Sequence, residues 1–184
     1  MNTANKLTLS RVILVPFFMA FLMMSKPVYH WIALVIFIIA SVTDWCDGYI
    51  ARKYNQITTF GKFVDPLADK MLTTAAFVVF AADGTISPWA LFIILAREFV
   101  VSGVRLVSVA EGKVIAASIW GKLKTVMQMI SIIAAIVLKN ADFIPYIEVF
   151  AQPVISILIW VTVIATVLSG ADYLVKNRNL MKLK

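Results

Sequence analysis

Residues 44–70 read DWCDGYIARKYNQITTFGKFVDPLADK and place four aspartates inside or beside apolar stretches of the chain. They are Asp44, Asp47, Asp65 and Asp69. A carboxylate at the centre of a bilayer costs roughly 2.5–3.5 kcal/mol even on the lenient insertion scale. These acids therefore need compensating partners, and the nature of the partners decides what the chain can do.

The composition predicts one integral membrane domain over residues 1–184. The chain is 61% hydrophobic, with a mean hydropathy of +0.91, whereas soluble domains are closer to half apolar. Its net charge of +7 fits cytoplasmic loops and anionic membrane lipids rather than nucleic acid. The single cysteine, Cys46, excludes an internal disulfide and a cysteine metal cage.

Six apolar segments predict an all-α fold with six transmembrane helices, because each approaches the ~20 residues that a spanning helix needs. The first is preceded by a short polar segment at residues 5–11, which we expect to begin the helix at the membrane interface. The segments are Val12–Met24, Val28–Thr43, Phe63–Ala82, Pro88–Ala110, Val114–Leu138 and Val149–Val175.

The distribution of basic residues predicts that both termini lie in the cytoplasm. In a six-helix layout Lys26 and Lys139 fall on the outer side of the membrane. His30 lies at the end opposite the aspartates, and we interpret it as an interfacial residue. The basic residues on the other, cytoplasmic side are Lys6, Arg11, Arg52, Lys53, Lys62, Lys113, Lys176, Arg178, Lys182 and Lys184.

Helical periodicity predicts that the four aspartates converge. At ~100° per residue, each pair of aspartates shares one helix face with small residues. Helices two and three are predicted antiparallel neighbours joined by a short loop near residues 53–60, so the two faces meet near the cytoplasmic surface. The first face carries Asp44, Asp47, Gly48 and Ala51, and the second carries Gly61, Asp65 and Asp69.

Converging carboxylates must be protonated or neutralised by cations. Salt bridges to Arg52, Lys62 and Lys70 are one alternative, but they leave the small residues on the same faces unexplained. All-oxygen ligands suit Mg²⁺ or Mn²⁺, and four carboxylates can hold two such ions around a phosphoryl group. The residues thus predict a polar, metal-dependent cavity that opens to the cytoplasm and binds a phosphate-containing substrate.

A cation or proton transporter is the alternative from a different functional class, since acids within a membrane also mark ion pathways. Against it, the acids cluster at one membrane face rather than at the midplane. The sequence also shows no inverted repeat and no pair of broken helices.

The spacing of the motif resembles the signature of the CDP-alcohol phosphatidyltransferase family. That resemblance implies two divalent cations, Mg²⁺ or Mn²⁺, held by the four aspartates, with Asp69 also acting as the catalytic base. It further implies a homodimeric membrane enzyme that uses a CDP-alcohol and releases CMP. The residues it assigns to the CDP-diacylglycerol site are Gly48, Ala51, Arg52 and Gly61.

Three further segments resemble the bacterial members of that family that make phosphatidylglycerophosphate: NKLTLSR at 5–11, REFVVSGVR at 97–105 and GKLKT at 121–125. The resemblance implies transfer of a phosphatidyl group from CDP-diacylglycerol to sn-glycerol 3-phosphate in a bacterial cytoplasmic membrane. Phosphatidylglycerol, inositol phosphate or serine remain alternative acceptors with the same chemistry.

Basic residues in helices four and five support a charged acceptor. Arg97 lies nine residues into helix four, too deep for a solvated face, and its neighbour Glu98 points ~100° away, so Glu98 is not an automatic partner. Contacts to lipid headgroups, or pairing with Glu98 and Glu111, are the alternatives. Lys122 and Lys124 lie ~200° apart, so we expect only one to face the site. The predicted acceptor-binding residues are Thr8, Arg11, Arg97, Arg105, Lys122 and Lys124.

Overall fold

The helices of this protein follow its apolar segments, with turns where Gly, Pro and polar residues interrupt them. The structure is a computed structural model that describes residues 3–53, 59–110, 118–141 and 146–178. Within these ranges, the side chains of residues 3–7, 44–53, 59–67, 69, 109–110 and 148 lie outside the description.

Six helices and no strands occur in the described part of the chain, as the sequence predicts for an all-α fold. Helix α4 has the predicted bounds. The helices are α1 (Thr3–Leu22), α2 (Pro27–Lys53), α3 (Thr59–Ala82), α4 (Pro88–Ala110), α5 (Ile119–Lys139) and α6 (Ile147–Lys176).

Helices α1, α2 and α3 extend further toward the motif end than their apolar segments. α1 already begins at Thr3, and α2 continues past Thr43 to Lys53, so that it carries the first half of the aspartate motif. α3 begins at Thr59 and carries the second half. An apolar run marks the part of a helix that suits hydrocarbon, whereas the helix itself continues into polar residues.

The core lies between α1, α2 and α3 on one side and α4, α5 and α6 on the other. α1 packs extensively on α2 and α3, α5 packs on α6, and α4 also packs on α6. Phe18 and Phe37 are fully buried between α1 and α2, with ring centroids 5.7 Å apart. These pairings place the motif ends of α2 and α3 beside the beginning of α5 and the ends of α4 and α6.

Two of the described helices are long and apolar enough to cross a membrane, residues Ile119–Lys139 and Val149–Lys176. Hydroxyl groups join them: Ser131 Oγ lies 2.8 Å from Thr162 Oγ1. Such contacts between buried hydroxyls contribute to helix association in membranes. Shorter apolar helical stretches cover residues Thr8–Leu22, Pro27–Thr43 and Lys70–Ala82.

The end of the bundle away from the motif is held by polar side chains. Lys139 Nζ lies 2.5 Å from Asp83 Oδ2 and donates to Thr85. Burial raises the pKa of Asp83, but the hydrogen bonds from Lys139 and Thr85 outweigh it and hold the pKa below the ordinary 3.8. His30, predicted to be interfacial, is half-buried and hydrogen-bonds Asn140 through Nδ1, at 2.6 Å.

Candidate functional site

A cavity of about 280 Å³ lies at the motif end of the bundle, and all six helices contribute to its walls. Among the described residues it is lined by six basic side chains and a single acidic one, Glu98. The described lining therefore carries a net of five positive charges, which suits an anion with more than one negative charge. The basic residues are Arg11, Lys70, Arg97, Arg105, Lys122 and Lys124.

The cavity extends to within about one helical turn of the aspartate motif. Ser41 on α2 lines it three residues before Asp44, and Thr73 on α3 lines it four residues after Asp69. Lys70, which directly follows Asp69, also lines it and donates a hydrogen bond to Ser102 of α4. The basic cavity is therefore continuous with the helix ends that carry the motif.

The motif residues are described only by their places on these helices. Asp44, Asp47, Gly48, Ala51 and Arg52 belong to α2. Gly61, Asp65 and Asp69 belong to α3, and α2 and α3 contact each other. Their side chains lie outside the described part of the structure, so the predicted ligand set stays a prediction. No group of three or more His, Cys, Asp or Glu side chains occurs among the described residues.

Glu98 is the centre of an ionic cluster in the cavity wall. Its Oε1 lies 3.4 Å from Arg97 Nη1, and Lys124 of α5 donates to the same oxygen. Of the alternatives left open for Arg97, the structure shows the pairing with Glu98. Directions of Cβ atoms separate adjacent helical residues by ~100°, but a long guanidinium side chain spans that separation.

Arg97 is held from α6 as well as from Glu98. Its Nη2 donates to Ser169 Oγ at 2.6 Å, and the Arg97 side chain is only 12% exposed. Gly170, the next residue of α6, allows the approach: a Cβ there would lie 3.1 Å from Arg97 Cγ. Helix α6 thus positions Arg97 in two ways: Ser169 accepts a hydrogen bond from it, and Gly170 leaves room for its side chain.

The residues predicted to bind the acceptor differ in their burial and in whether they line the cavity. Arg11 lines the cavity and is 1% exposed, whereas Thr8, one turn earlier and equally buried, is not among the described lining residues. Because both side chains are buried, contact with lipid headgroups does not explain their positions. Arg105 lines the cavity from an exposed position near the end of α4.

Lys122 and Lys124 both line the cavity, so the expectation that only one could do so was wrong. Lys124 is buried against Glu98, whereas Lys122 is exposed. Lysine side chains are long and flexible, so two lysines whose Cβ atoms point in different directions from α5 can both reach the cavity.

Several polar lining residues were absent from the predicted site, among them Gln128 of α5 and Tyr173 of α6. Gln128 is 2% exposed and follows Lys124 by one turn, with buried Ser131 after it. That polar stripe at i, i+4 and i+7 is a periodic signal that the sequence contains. Tyr173 follows Ser169 by one turn near the end of α6, and the packing of α6 on α4 brings it to the cavity.

Comparison with known proteins agrees with the motif. The family model described as CDP-alcohol phosphatidyltransferase matches residues 1–168. The Bacillus subtilis CDP-diacylglycerol–glycerol-3-phosphate 3-phosphatidyltransferase is 42% identical, with 98% of this chain and 97% of the relative covered. The Haemophilus influenzae protein of the same name is 38% identical over 91% of this chain and 89% of its own length. The chain belongs to the CDP-alcohol phosphatidyltransferase family.

Proposed function

We propose that this protein transfers the phosphatidyl group of CDP-diacylglycerol to sn-glycerol 3-phosphate, giving phosphatidylglycerophosphate and CMP. The observation that carries the proposal is the cavity, whose described lining has six basic residues and one acid and which reaches within about one turn of the aspartate motif. The names of relatives in Bacillus subtilis and Haemophilus influenzae support the same acceptor. This reaction belongs to phospholipid biosynthesis.

The basic wall is suited to the phosphate of the acceptor. A phosphate monoester carries up to two negative charges, and arginine side chains bind its oxygens through paired N–H groups. Arg97 is held in place before any substrate arrives, by Glu98 and Ser169. Arg105 and Lys122 lie at exposed positions, where they would attract the charged acceptor and complete its binding.

The aspartate motif is suited to the diphosphate of the donor. Asp44, Asp47, Asp65 and Asp69 offer only oxygen ligands, which fits two Mg²⁺ or Mn²⁺ ions, and they lie on two helices that contact each other. Such ions, when bound, neutralise the charge of the diphosphate and of the leaving CMP. The residues proposed to line the CDP-diacylglycerol site beside them are Gly48, Ala51, Arg52 and Gly61.

The chemical step needs a base and a fixed acceptor. The cavity holds the phosphate end of glycerol 3-phosphate, so that the terminal hydroxyl at the other end of the molecule lies toward the motif. That hydroxyl oxygen forms a new bond to the phosphorus bearing diacylglycerol, and the bond from this phosphorus to the oxygen of CMP breaks. Asp69 accepts the proton of the hydroxyl.

We also propose six membrane-spanning helices in a bacterial cytoplasmic membrane. Two of the described helices meet the length and hydropathy of a span, and α4 is apolar apart from its charged cavity-facing residues. The excess of basic residues at the motif end supports a cytoplasmic cavity and cytoplasmic termini. A homodimer surrounded by membrane lipids is part of the same proposal, testable by cross-linking in native membranes.

The experiment is a transfer assay with purified protein, CDP-diacylglycerol and separate acceptors: glycerol 3-phosphate, phosphatidylglycerol, inositol phosphate, serine and glycerol. We expect CMP release and a lipid product with glycerol 3-phosphate, and little with glycerol, which lacks the phosphate. A preference for another acceptor would contradict the proposed substrate. Metal or proton flux in proteoliposomes without either substrate would instead support the transporter alternative.

A further inference from the structure

Tyr173 lines the basic cavity and carries a buried hydroxyl group. Its side chain is 3% exposed and lines the cavity from α6, yet its Oη has no hydrogen-bond partner among the described residues. Buried hydroxyl groups in folded proteins nearly always have a partner, because leaving one without a partner destabilises the fold. An unpartnered hydroxyl at a cavity wall points to a ligand that supplies the missing partner.

A second unpartnered group lies in the same wall. The Nε of Arg97 is buried and has no hydrogen-bond partner among the described residues, although both terminal nitrogens of that guanidinium are engaged, by Glu98 and Ser169. A guanidinium nitrogen can only donate, and a phenol can donate as well. The missing partner is therefore a group rich in acceptor oxygens.

Helix α6 brings these two donors to one wall. Ser169, which holds Arg97, precedes Tyr173 by four residues, so both side chains lie on one face of the helix. Gly170 permits the stem of Arg97 to lie against this face. The surrounding basic side chains mean that the acceptor-rich group is an anion, and phosphate has the required charge and oxygens.

We propose that the Tyr173 hydroxyl, together with Arg97 Nε, binds the phosphate of the acceptor substrate. Helix α6 would then help to determine acceptor specificity, in addition to packing against α4 and α5. This inference rests on the proposed function, since it assigns one more contact to the acceptor named there. The diphosphate of CDP-diacylglycerol is the other source of phosphate oxygens, and the test separates the two.

The test is Tyr173→Phe, which removes one oxygen and keeps the ring. Because the Tyr173 hydroxyl has no hydrogen-bond partner among the described residues, we expect the substrate-free variant to unfold at the wild-type temperature or slightly above it. The apparent KM for glycerol 3-phosphate should rise by about tenfold or more, with the KM for CDP-diacylglycerol unchanged. Tyr29→Phe, at the opposite end of the bundle and with its ring against Phe21, is the matched control.

Inorganic phosphate provides a second readout that needs no turnover. Phosphate should stabilise the wild-type protein against thermal unfolding, and Tyr173→Phe should need about tenfold more phosphate for the same shift. If the wild-type protein does not use glycerol 3-phosphate at all, the proposed function fails while this phosphate measurement still tests Tyr173.

Three outcomes would overturn the inference. One is an unchanged KM for glycerol 3-phosphate with unchanged phosphate stabilisation. Another is a substrate-free Tyr173→Phe protein that is clearly destabilised with normal substrate affinity, which would make the hydroxyl structural. The third is a raised KM for CDP-diacylglycerol alone, which would assign the hydroxyl to the donor diphosphate.

Discussion

Lys124 of α5 and Glu98 of α4 form an ion pair that is almost completely buried, with side chains 6% and 11% exposed. Glu98 also accepts from Arg97, so one carboxylate balances two cations in the wall of the cavity. Removing one partner of a buried ionic cluster is expensive because the remaining charges stay buried without compensation. The cluster thus holds the cavity wall together before any substrate is bound.

Glu98→Gln should therefore lower the free energy of unfolding strongly, by about 3–5 kcal/mol, while it changes the side-chain volume very little. The measurement is denaturant or thermal unfolding of the detergent-solubilised protein. Excess phosphate should recover part of the loss, because an anion in the cavity replaces some of the missing negative charge. A variant as stable as the wild type would show that the carboxylate does not stabilise the wall.

Arg105→Ala should weaken acceptor binding without a large loss of stability. Arg105 lines the cavity but is exposed, and so it differs from Arg97, whose loss would also break contacts with Glu98 and Ser169. A lost charge-assisted contact of ~1.5–3 kcal/mol raises the apparent KM for glycerol 3-phosphate roughly ten- to hundredfold. The measurement is steady-state kinetics with each substrate varied in turn. An equal rise in the KM for CDP-diacylglycerol would contradict an acceptor-specific role.

Gly170→Ala tests the close approach between α6 and Arg97. The added Cβ would lie 3.1 Å from Arg97 Cγ, so the arginine stem must shift by a few tenths of an ångström. We expect kcat/KM for glycerol 3-phosphate to fall by about tenfold, since small displacements of positioning groups cost rate. Gly103→Ala in α4 is the matched control, because nothing lies within 4 Å of the added Cβ there. Equal kinetics for the two variants would show that the approach of Gly170 to Arg97 does not matter.

Chelation tests the proposed cations. Turnover should vanish in excess chelator and return with Mg²⁺ or Mn²⁺, and Asp44→Asn, Asp47→Asn and Asp65→Asn should lower both metal affinity and turnover. Asp69→Asn should keep measurable metal and CDP-diacylglycerol binding while losing turnover, if proton acceptance is its larger role. Equal loss of metal from all four variants would leave Asp69 as a ligand only. Full activity in chelator would contradict the metal proposal.

The Asp83–Lys139 pair at the other end of the bundle should make a small contribution to stability that depends on pH. The Asp83 pKa is held below 3.8 in the folded protein. Its contribution is therefore complete above that value and is lost as the pH falls through the lower, folded pKa. Both side chains are about one-third exposed, so Asp83→Asn should cost no more than about 1 kcal/mol at pH 7.

Unfolding curves of the wild type and of Asp83→Asn at pH 7 and at pH 3 provide the measurement. The difference between the two proteins should shrink at the lower pH, because pH 3 lies below the ordinary pKa of 3.8, so the unfolded wild-type chain takes up a proton more readily than the folded one. A difference that grows on acidification would contradict the lowered pKa.

Much of the helical layout follows from the sequence alone. Apolar runs and the Gly and Pro residues between them predict six helices, and α4 has the predicted bounds, Pro88–Ala110. The spacing of the aspartates also identifies the family without any coordinates, which the match over residues 1–168 confirms. These features are local: periodicity, breakers and motif spacing depend on residues a few positions apart.

Only the tertiary structure decided which side chains meet. Glu98 pairs with Lys124 across 26 positions of sequence, and Arg97 bonds Ser169 across 72. Tyr173 shares one face of α6 with buried Thr162, Thr166 and Ser169, a periodicity that the sequence contains. It became a candidate only because the packing of α6 brings that face to the cavity. The physical reason is that helical phase defines the face of a residue on its own helix, whereas long side chains and the packing of separate helices determine its partners.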